Sequence, residues 1–191
     1  LMKNPETDKY RLGYRIWELS TNLTGVDDPA TLFLPEMKRL RDIINETISL
    51  YVRDEYERIR IQSVESKLSI RRVAPIGARL PLSVGASSKI LVAFDKQIIL
   101  EDILDQLEYH FKTDRKSFNY IIKEVQKKGY ATSFEEREAG AVAISAPILN
   151  RKGNLIAALS VSGPVNRLNA QKLEEIVPLL KEATNRMGKM L

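Results

Sequence analysis

Residues 80–94 carry the segment that decides the fold, Leu80-Pro81-Leu82-Ser83-Val84-Gly85-Ala86-Ser87-Ser88-Lys89 followed by Ile90-Leu91-Val92-Ala93-Phe94. Small residues before an apolar run predict a turn and then a buried helix that begins near Gly85. The N–H groups in the first turn of such a helix have no intrahelical acceptor and point along the positive end of the helix dipole. This terminus suits a carboxylate or a phosphate. An ordinary capped helix start explains the same residues, so the segment alone leaves both interpretations open.

The composition restricts the class of protein. The chain has 191 residues, of which 43% are hydrophobic and 29% are charged, enough for one domain with a packed core. It has no cysteine, which excludes disulfides, thiolate catalysis and zinc knuckles. There is neither an apolar run of 18 residues nor a signal-peptide pattern, so we expect a cytoplasmic protein that does not contact a membrane.

Charge and histidine content argue against nucleic-acid binding by this chain alone and against a metal site. The net charge of +5 is spread along the sequence and forms no basic stripe with interleaved aromatic residues. His110 is the only histidine, so the sequence offers no histidine pair for a metal. We interpret His110 as a structural or surface residue and expect no cofactor.

Hydrophobic periodicity predicts helices and strand pairs in separate groups. Apolar residues recur at helical spacing in 14–23, 34–45, 101–107 and 116–128. A last helix is predicted from a cap at Asn169 to about Met187, and Pro178 should kink or interrupt it. In the helix over 34–45, Leu40, Ile43 and Ile44 fall on one face. From Thr47 the period changes to two, which predicts a β-hairpin with one buried face that turns at residues 54–57. Another extended segment is predicted over 69–76. Strands joined by hairpins, with helices grouped around them, indicate an α+β domain with a mostly antiparallel sheet.

A second hairpin, over 142–149 and 155–163, has one face of branched residues and one of alanine and serine. Ser160 and Ser162 lie two apart, so both hydroxyls project from the same side of the sheet. Small residues there either allow a helix to pack closely or form the floor of a shallow cavity.

Taken together, the motifs resemble, in order and over almost the whole chain, the effector-binding domain of the IclR family of bacterial transcription regulators. The matching residues are Tyr10-Arg11-Leu12-Gly13, Ala74-Pro75-Ile76-Gly77, Leu80-Pro81-Leu82, Ser87-Ser88-Lys89, Gly129-Tyr130-Ala131, Glu136 with Gly140, Ser145-Ala146-Pro147-Ile148 and Leu159-Ser160-Val161-Ser162-Gly163-Pro164.

The resemblance implies a GAF-like fold, a curved antiparallel sheet flanked by helices, that binds a small carboxylate metabolite. It implies that residues 1–24 are the end of a wing strand and a linker helix from a winged helix-turn-helix domain absent from this chain, and that residues 25–191 are the effector-binding domain. Operator DNA would then be bound only through that absent domain. The resemblance also implies a homodimer or tetramer, with repression or activation left open.

The resemblance further implies a set of effector-binding residues. Backbone N–H groups at the helix start would bind the effector carboxylate, serine hydroxyls would line the sheet side and the closing loop, and Ala143 would occupy a position that is polar in some relatives. Arg72 either points inward, where it would favour a dianionic or larger acid, or is a solvated residue of the sheet. The full set is Gly85, Ala86, Ser87, Ser133, Ala143, Ser160, Ser162 and Arg72.

Two other classes of function compete with a ligand sensor. A pure oligomerisation module with a vestigial pocket would have the same amphipathic helices. An enzyme acting on an acyl or phosphoryl substrate is disfavoured, because the turn lacks a phosphate-loop pattern, Ala86 breaks the Ser-x-x-Lys pattern, and there is no histidine to activate Ser87, Ser160 or Ser162. The adjacent Glu135 and Glu136 indicate a solvated loop rather than acid–base chemistry. We therefore expect a regulator and not an enzyme.

Overall fold

The computed structural model describes residues 2–3, 7–11, 13–21, 28–71, 73, 75–96, 100–111 and 114–191. Its elements, in chain order, are β1 (Met2–Lys3), β2 (Tyr10–Arg11), α1 (Tyr14–Thr21), α2 (Pro29–Leu32), α3 (Leu34–Ile44), β3 (Thr47–Asp54), β4 (Glu57–Val64), β5 (Arg79–Pro81), α4 (Ala86–Phe94), α5 (Leu100–Phe111), α6 (Arg115–Lys128), β6 (Ala131–Phe134), β7 (Ala141–Leu149), β8 (Leu155–Pro164) and α7 (Ala170–Gly188).

Six strands form one curled antiparallel sheet in the order β5-β4-β3-β8-β7-β6, and β1 pairs with β2 in a separate ribbon. The two predicted hairpins, β3–β4 and β7–β8, lie side by side because β3 pairs with β8, with Ser49 opposite Ser160. The predicted α+β class and the curved antiparallel sheet are confirmed.

Helices cover both faces of this sheet. On one face, branched residues of β7 and β8 such as Ile144 and Val161 pack with α3 and α7 in a buried core that includes Met37 and Leu180. On the other face, α4 packs against β7 and β8, and α6 packs against α4. The small residues of the hairpin lie on this second face, where they allow α4 to approach the sheet.

Local signals explain where several helices begin. The Asn169 side chain accepts a hydrogen bond from the N–H of Lys172 at 2.9 Å and caps α7, as predicted. Asp114 caps α6 in the same way, through the N–H of Lys116. Pro178 was predicted to kink or interrupt the last helix; interruption is wrong, because α7 continues through it. The inner face of α7, with Ile176 and Leu180 fully packed, compensates for the hydrogen bond that proline removes.

Three further predictions needed correction. The described part of 69–76 is irregular, and Ile70, Val73 and Ile76 are exposed. Backbone pairing with β4 begins only after this segment, where the N–H of Gly77 donates to the carbonyl of Arg60 and the N–H of Arg60 donates to the carbonyl of Ala78. The edge strand is therefore β5. Ile43 is exposed rather than on the buried face of α3. The helix predicted over 101–107 extends over Leu100–Phe111.

The helix α1 exposes apolar side chains that no described residue covers. Tyr14, Ile16 and Leu19 are 79%, 44% and 54% exposed. The helical spacing was predicted correctly, whereas residues 22–27, which were to complete that helix and its following turn, lie outside the described part. Among the described residues, no helix is long and apolar enough to cross a membrane.

Candidate functional site

A cavity of about 60 Å³ lies between the start of α4 and the small-residue face of the sheet. Seven of the eight predicted site residues line it: Gly85, Ala86, Ser87, Ser133, Ala143, Ser160 and Ser162. The eighth, Arg72, lies outside the described residues, so neither of its two interpretations is tested. That the seven bind an effector stays a prediction.

Strand register brings the sheet residues of this group together. Ala143 on β7 is opposite Ser133 on β6 and also opposite Ser162 on β8. Directly opposed residues in antiparallel strands project to the same face, so these three positions form a row beneath α4. Ser160 lies two residues before Ser162 on the same face. Its hydroxyl donates to the carbonyl of Ile144 at 3.3 Å.

The start of α4 presents free backbone donors to this cavity. The first hydrogen bond of the helix runs from Lys89 N to Gly85 O at 3.3 Å, so the N–H groups of Ala86 and Ser87 have no acceptor among the described residues. The hydroxyl of Ser88 donates to the carbonyls of Val84 and Pro81, at 2.8 and 3.1 Å, and holds the preceding turn.

Glycine is required at position 85 for two reasons. Its φ of 98° and ψ of 156° lie in a region that side chains with a Cβ almost never adopt. A Cβ at this position would also lie 2.9 Å from Nη2 of Arg58. The helix start therefore lies directly against a guanidinium group.

Two buried arginines that the sequence analysis missed line the cavity from β4. Arg58 and Arg60 are 4% and 1% exposed, and both lie near the ring of Tyr51, at 5.6 and 5.2 Å from its centroid. Arg60 Nε donates to the Tyr51 hydroxyl at 3.0 Å. The prediction that this hairpin has one buried face was wrong, because α4 covers the second face. The sequence feature that could have predicted their burial is the apolar run of α4, because an apolar helix needs a sheet face to pack against.

Arg58 is held mainly by backbone carbonyls. Its Nη1 donates to Pro81 O at 2.8 Å and to Val84 O at 2.6 Å, whereas its buried Nε has no partner. Burial is the main cause that lowers the pKa of Arg58 to about 10, and the neighbouring charge of Arg60 adds to it. The guanidinium therefore remains charged at neutral pH.

The charged loop after β6 closes one side of the cavity. Arg137 and Glu138 line it, and Glu136 accepts a hydrogen bond from the N–H of Gly85 at 3.0 Å. Glu136 also forms an ion pair with Lys89, which is 8% exposed and whose Nζ donates to Thr132 O at 2.9 Å. Glu135 and Glu136 are both exposed on this loop, as predicted, and Glu136 in addition ties the loop to the helix start.

The described residues contain no group of three or more side chains of the kinds that hold metal ions. The N–H, hydroxyl and guanidinium donors that line the cavity suit an oxygen-rich anion.

Comparison with known proteins identifies the relatives of this chain. Residues 25–188 match the family model described as the C-terminal domain of the bacterial transcriptional regulator IclR. The HTH-type transcriptional regulator KdgR of Escherichia coli (strain K12) is 31% identical over 189 residues, which are 96% of this chain and 72% of KdgR. These relatives are named as transcriptional regulators and not as enzymes.

Two solved structures also align with this chain over most of its length. The IclR protein of Thermotoga maritima aligns with a TM-score of 0.80 at 25% identity, over 98% of this chain and 79% of that one. The inducer-binding domain of PobR from Acinetobacter, solved as a double mutant in complex with 3-hydroxybenzoic acid, aligns with a TM-score of 0.74 at 26% identity, over 85% of this chain and 98% of that one.

Proposed function

Because the chain belongs to the IclR family of bacterial transcriptional regulators, as their C-terminal ligand-binding domain, we propose that it senses a small organic acid. In this proposal the effector carboxylate accepts hydrogen bonds from the free N–H groups of Ala86 and Ser87. The hydroxyls of Ser133 and Ser162 bind the remaining oxygens from the sheet side, and the hydroxyl of Ser160 joins them by turning away from the carbonyl of Ile144.

One observation carries the proposal: seven residues from four separate elements line a single cavity at an uncapped helix start. An anion there would meet the positive end of the helix dipole and two unpaired N–H donors. The complex of the PobR domain with 3-hydroxybenzoic acid supports the proposal, since a domain of similar fold has been solved with an organic acid.

The sensor would act on DNA through a domain that lies outside this chain. We assign residues 1–24 to the junction with a winged helix-turn-helix domain and 25–191 to the effector-binding domain; the paired strands β1 and β2 and the uncovered apolar face of α1 are consistent with that division. Acid binding would change how subunits of a dimer or tetramer are arranged, and α1 would transmit that change. A ligand shifts such an equilibrium only by its difference in affinity for the two states, typically about 1–3 kcal/mol. A cytoplasmic location follows from a role at operator DNA.

Isothermal titration calorimetry with aromatic, sugar-derived and two- to four-carbon acids tests the proposal. At least one acid should bind, and Ser87→Leu should abolish that binding because it fills the cavity. Ser69→Leu, at an exposed serine that does not line the cavity, is the matched control. Circular dichroism checks that both variants remain folded.

Absence of binding across the whole panel would instead favour an oligomerisation module with a vestigial pocket. Binding that survives in Ser87→Leu would place the effector elsewhere on the domain.

A further inference from the structure

Arg58 is a buried cation that lacks a carboxylate partner. Its side chain is almost completely buried, yet it forms no ion pair with any residue that the structure describes. Two carbonyl oxygens accept from Nη1, whereas neither Nε nor Nη2 has an acceptor in the same part of the chain. The charge of Glu136, which is itself paired with Lys89, acts on Arg58 without contact. Because no described carboxylate contacts the buried guanidinium, an anion bound in the cavity would stabilise it.

The cavity as a whole has the same excess of positive charge. Three arginines line it (Arg58, Arg60 and Arg137) against one acidic residue, Glu138. The helix start adds about half of a positive charge, and Glu136, which accepts a hydrogen bond from the Gly85 N–H there, is itself paired with Lys89.

Nη2 of Arg58 lies just below the helix start, 2.9 Å from the position that a Cβ of Gly85 would occupy. Arg60 is two residues further along the same face of β4. Donors at the helix start and at the arginines are therefore close enough to contact two ends of one small molecule.

We propose that the effector is a dicarboxylate of about four carbons or fewer, with one carboxylate at the N–H groups of Ala86 and Ser87 and the other against Arg58 and Arg60. This inference rests on the function proposed above and specifies its ligand. A small acid matches the small volume of the cavity, about 60 Å³. An arginine fork matches a carboxylate in geometry as well as in charge.

Matched acids test the inference on the unmodified protein. Oxalate, malonate and succinate are each titrated beside the monoamide of the same acid (oxamate, malonamate and succinamate), which has the same number of heavy atoms and one negative charge fewer. At least one dicarboxylate should bind about tenfold or more tightly than its monoamide. Equal affinity within every pair would overturn the inference.

Variants of Arg58 then assign the preference to this residue. Arg58→Gln should bring the two affinities of the preferred pair within about threefold of each other, chiefly by weakening the dicarboxylate, whereas Arg58→Lys, which keeps the charge but not the planar fork, should keep only part of the difference. Arg79→Gln, at an exposed arginine on neighbouring β5, is the matched control and should leave the preference unchanged. A preference that persists in folded Arg58→Gln would overturn the inference. If that variant does not fold, the comparison on the unmodified protein decides.

The outcome separates this inference from the function on which it rests. Binding of monocarboxylates with no preference for dicarboxylates, or binding only of larger acids, leaves the sensor function standing and refutes the dicarboxylate. Failure of every acid to bind refutes the sensor function itself.

Discussion

The carboxylate of Glu136 accepts a hydrogen bond from the backbone N–H of Gly85 at 3.0 Å, although the two residues are 51 positions apart. The same carboxylate forms an ion pair with Lys89, one turn into α4. The loop after β6 is therefore joined to the element that carries the proposed anion site. Because one N–H at the helix start already has a carboxylate acceptor, an effector would use the next two.

Removing the Glu136 side chain should destabilise the domain. In Glu136→Ala the nearly buried ammonium of Lys89 keeps only the carbonyl of Thr132, and loss of a partner at a buried polar group costs about 1–3 kcal/mol in the free energy of unfolding. Urea unfolding measures the change. Glu174→Ala, at an exposed position of α7, should change it by less than about 0.5 kcal/mol. Equal stability of the two variants would show that the Glu136 contacts do not hold the loop.

Placing a Cβ at position 85 should disturb both the fold and the site. Gly85→Ala forces alanine into a backbone region that costs about 1–3 kcal/mol, and it displaces the guanidinium of Arg58. We expect a lower melting temperature and weaker acid binding. Gly140→Ala is the matched control, because that glycine also has a positive φ, of 75°, but open space around its Cβ. A similar loss of acid binding in both variants would argue against a specific clash with Arg58.

A buried ion pair outside the cavity joins Glu46, just before β3, to Arg167 in the connection between β8 and α7. It tests how tightly that connection packs. Glu46 is 4% exposed, and both of its oxygens accept from Arg167, at 2.5 and 2.9 Å. Arg167→Ala leaves that carboxylate buried without its cation, at a cost of about 3 kcal/mol. The double variant with Glu46→Gln should recover part of the loss, because no buried charge then remains. Lys172→Ala breaks only an exposed pair with Glu175 and should cost less than about 1 kcal/mol in chemical denaturation.

The exposed Ile16 and Leu19 of α1 predict where the subunits of the proposed dimer or tetramer meet. Replacing the exposed Ile16 and Leu19 by lysine should weaken self-association at least about tenfold in sedimentation velocity, because charges would then face an apolar contact. Acid binding to the cavity should change little. Arg15→Gln, on the same helix, serves as the control. An unchanged sedimentation profile of the lysine variant would exclude α1 from the subunit contact.

Local sequence signals predicted most of the elements, whereas the charged part of the site depends on long-range packing. The Asn169 cap, the turn before Gly85 and the alternation in both hairpins are encoded within a few residues, and each proved correct. Arg58 and Arg60 alternate with isoleucines, a pattern typical of a strand with one solvated face. Both arginines are instead more buried than Ile59 and Ile61, because α4 packs over their side of the sheet. The alternation of residues within β4 cannot indicate this contact with α4, because the helix is a separate segment of the chain.

The most direct test of the helix start replaces one N–H by the Cδ of a proline ring. Ala86 is the first residue of α4, where proline fits the backbone and no intrahelical hydrogen bond is lost. Ala86→Pro should therefore keep the helix while deleting one of the two free donors of the proposed site. Loss of a hydrogen bond to a charged group, about 1.5–3 kcal/mol, corresponds to acid binding about 10- to 150-fold weaker by calorimetry. Ala170→Pro, at the same position of α7 and outside the cavity, is the matched control and should leave affinity unchanged. If Ala86→Pro folds and binds the acid as tightly as the unmodified protein, the carboxylate does not lie at the start of α4.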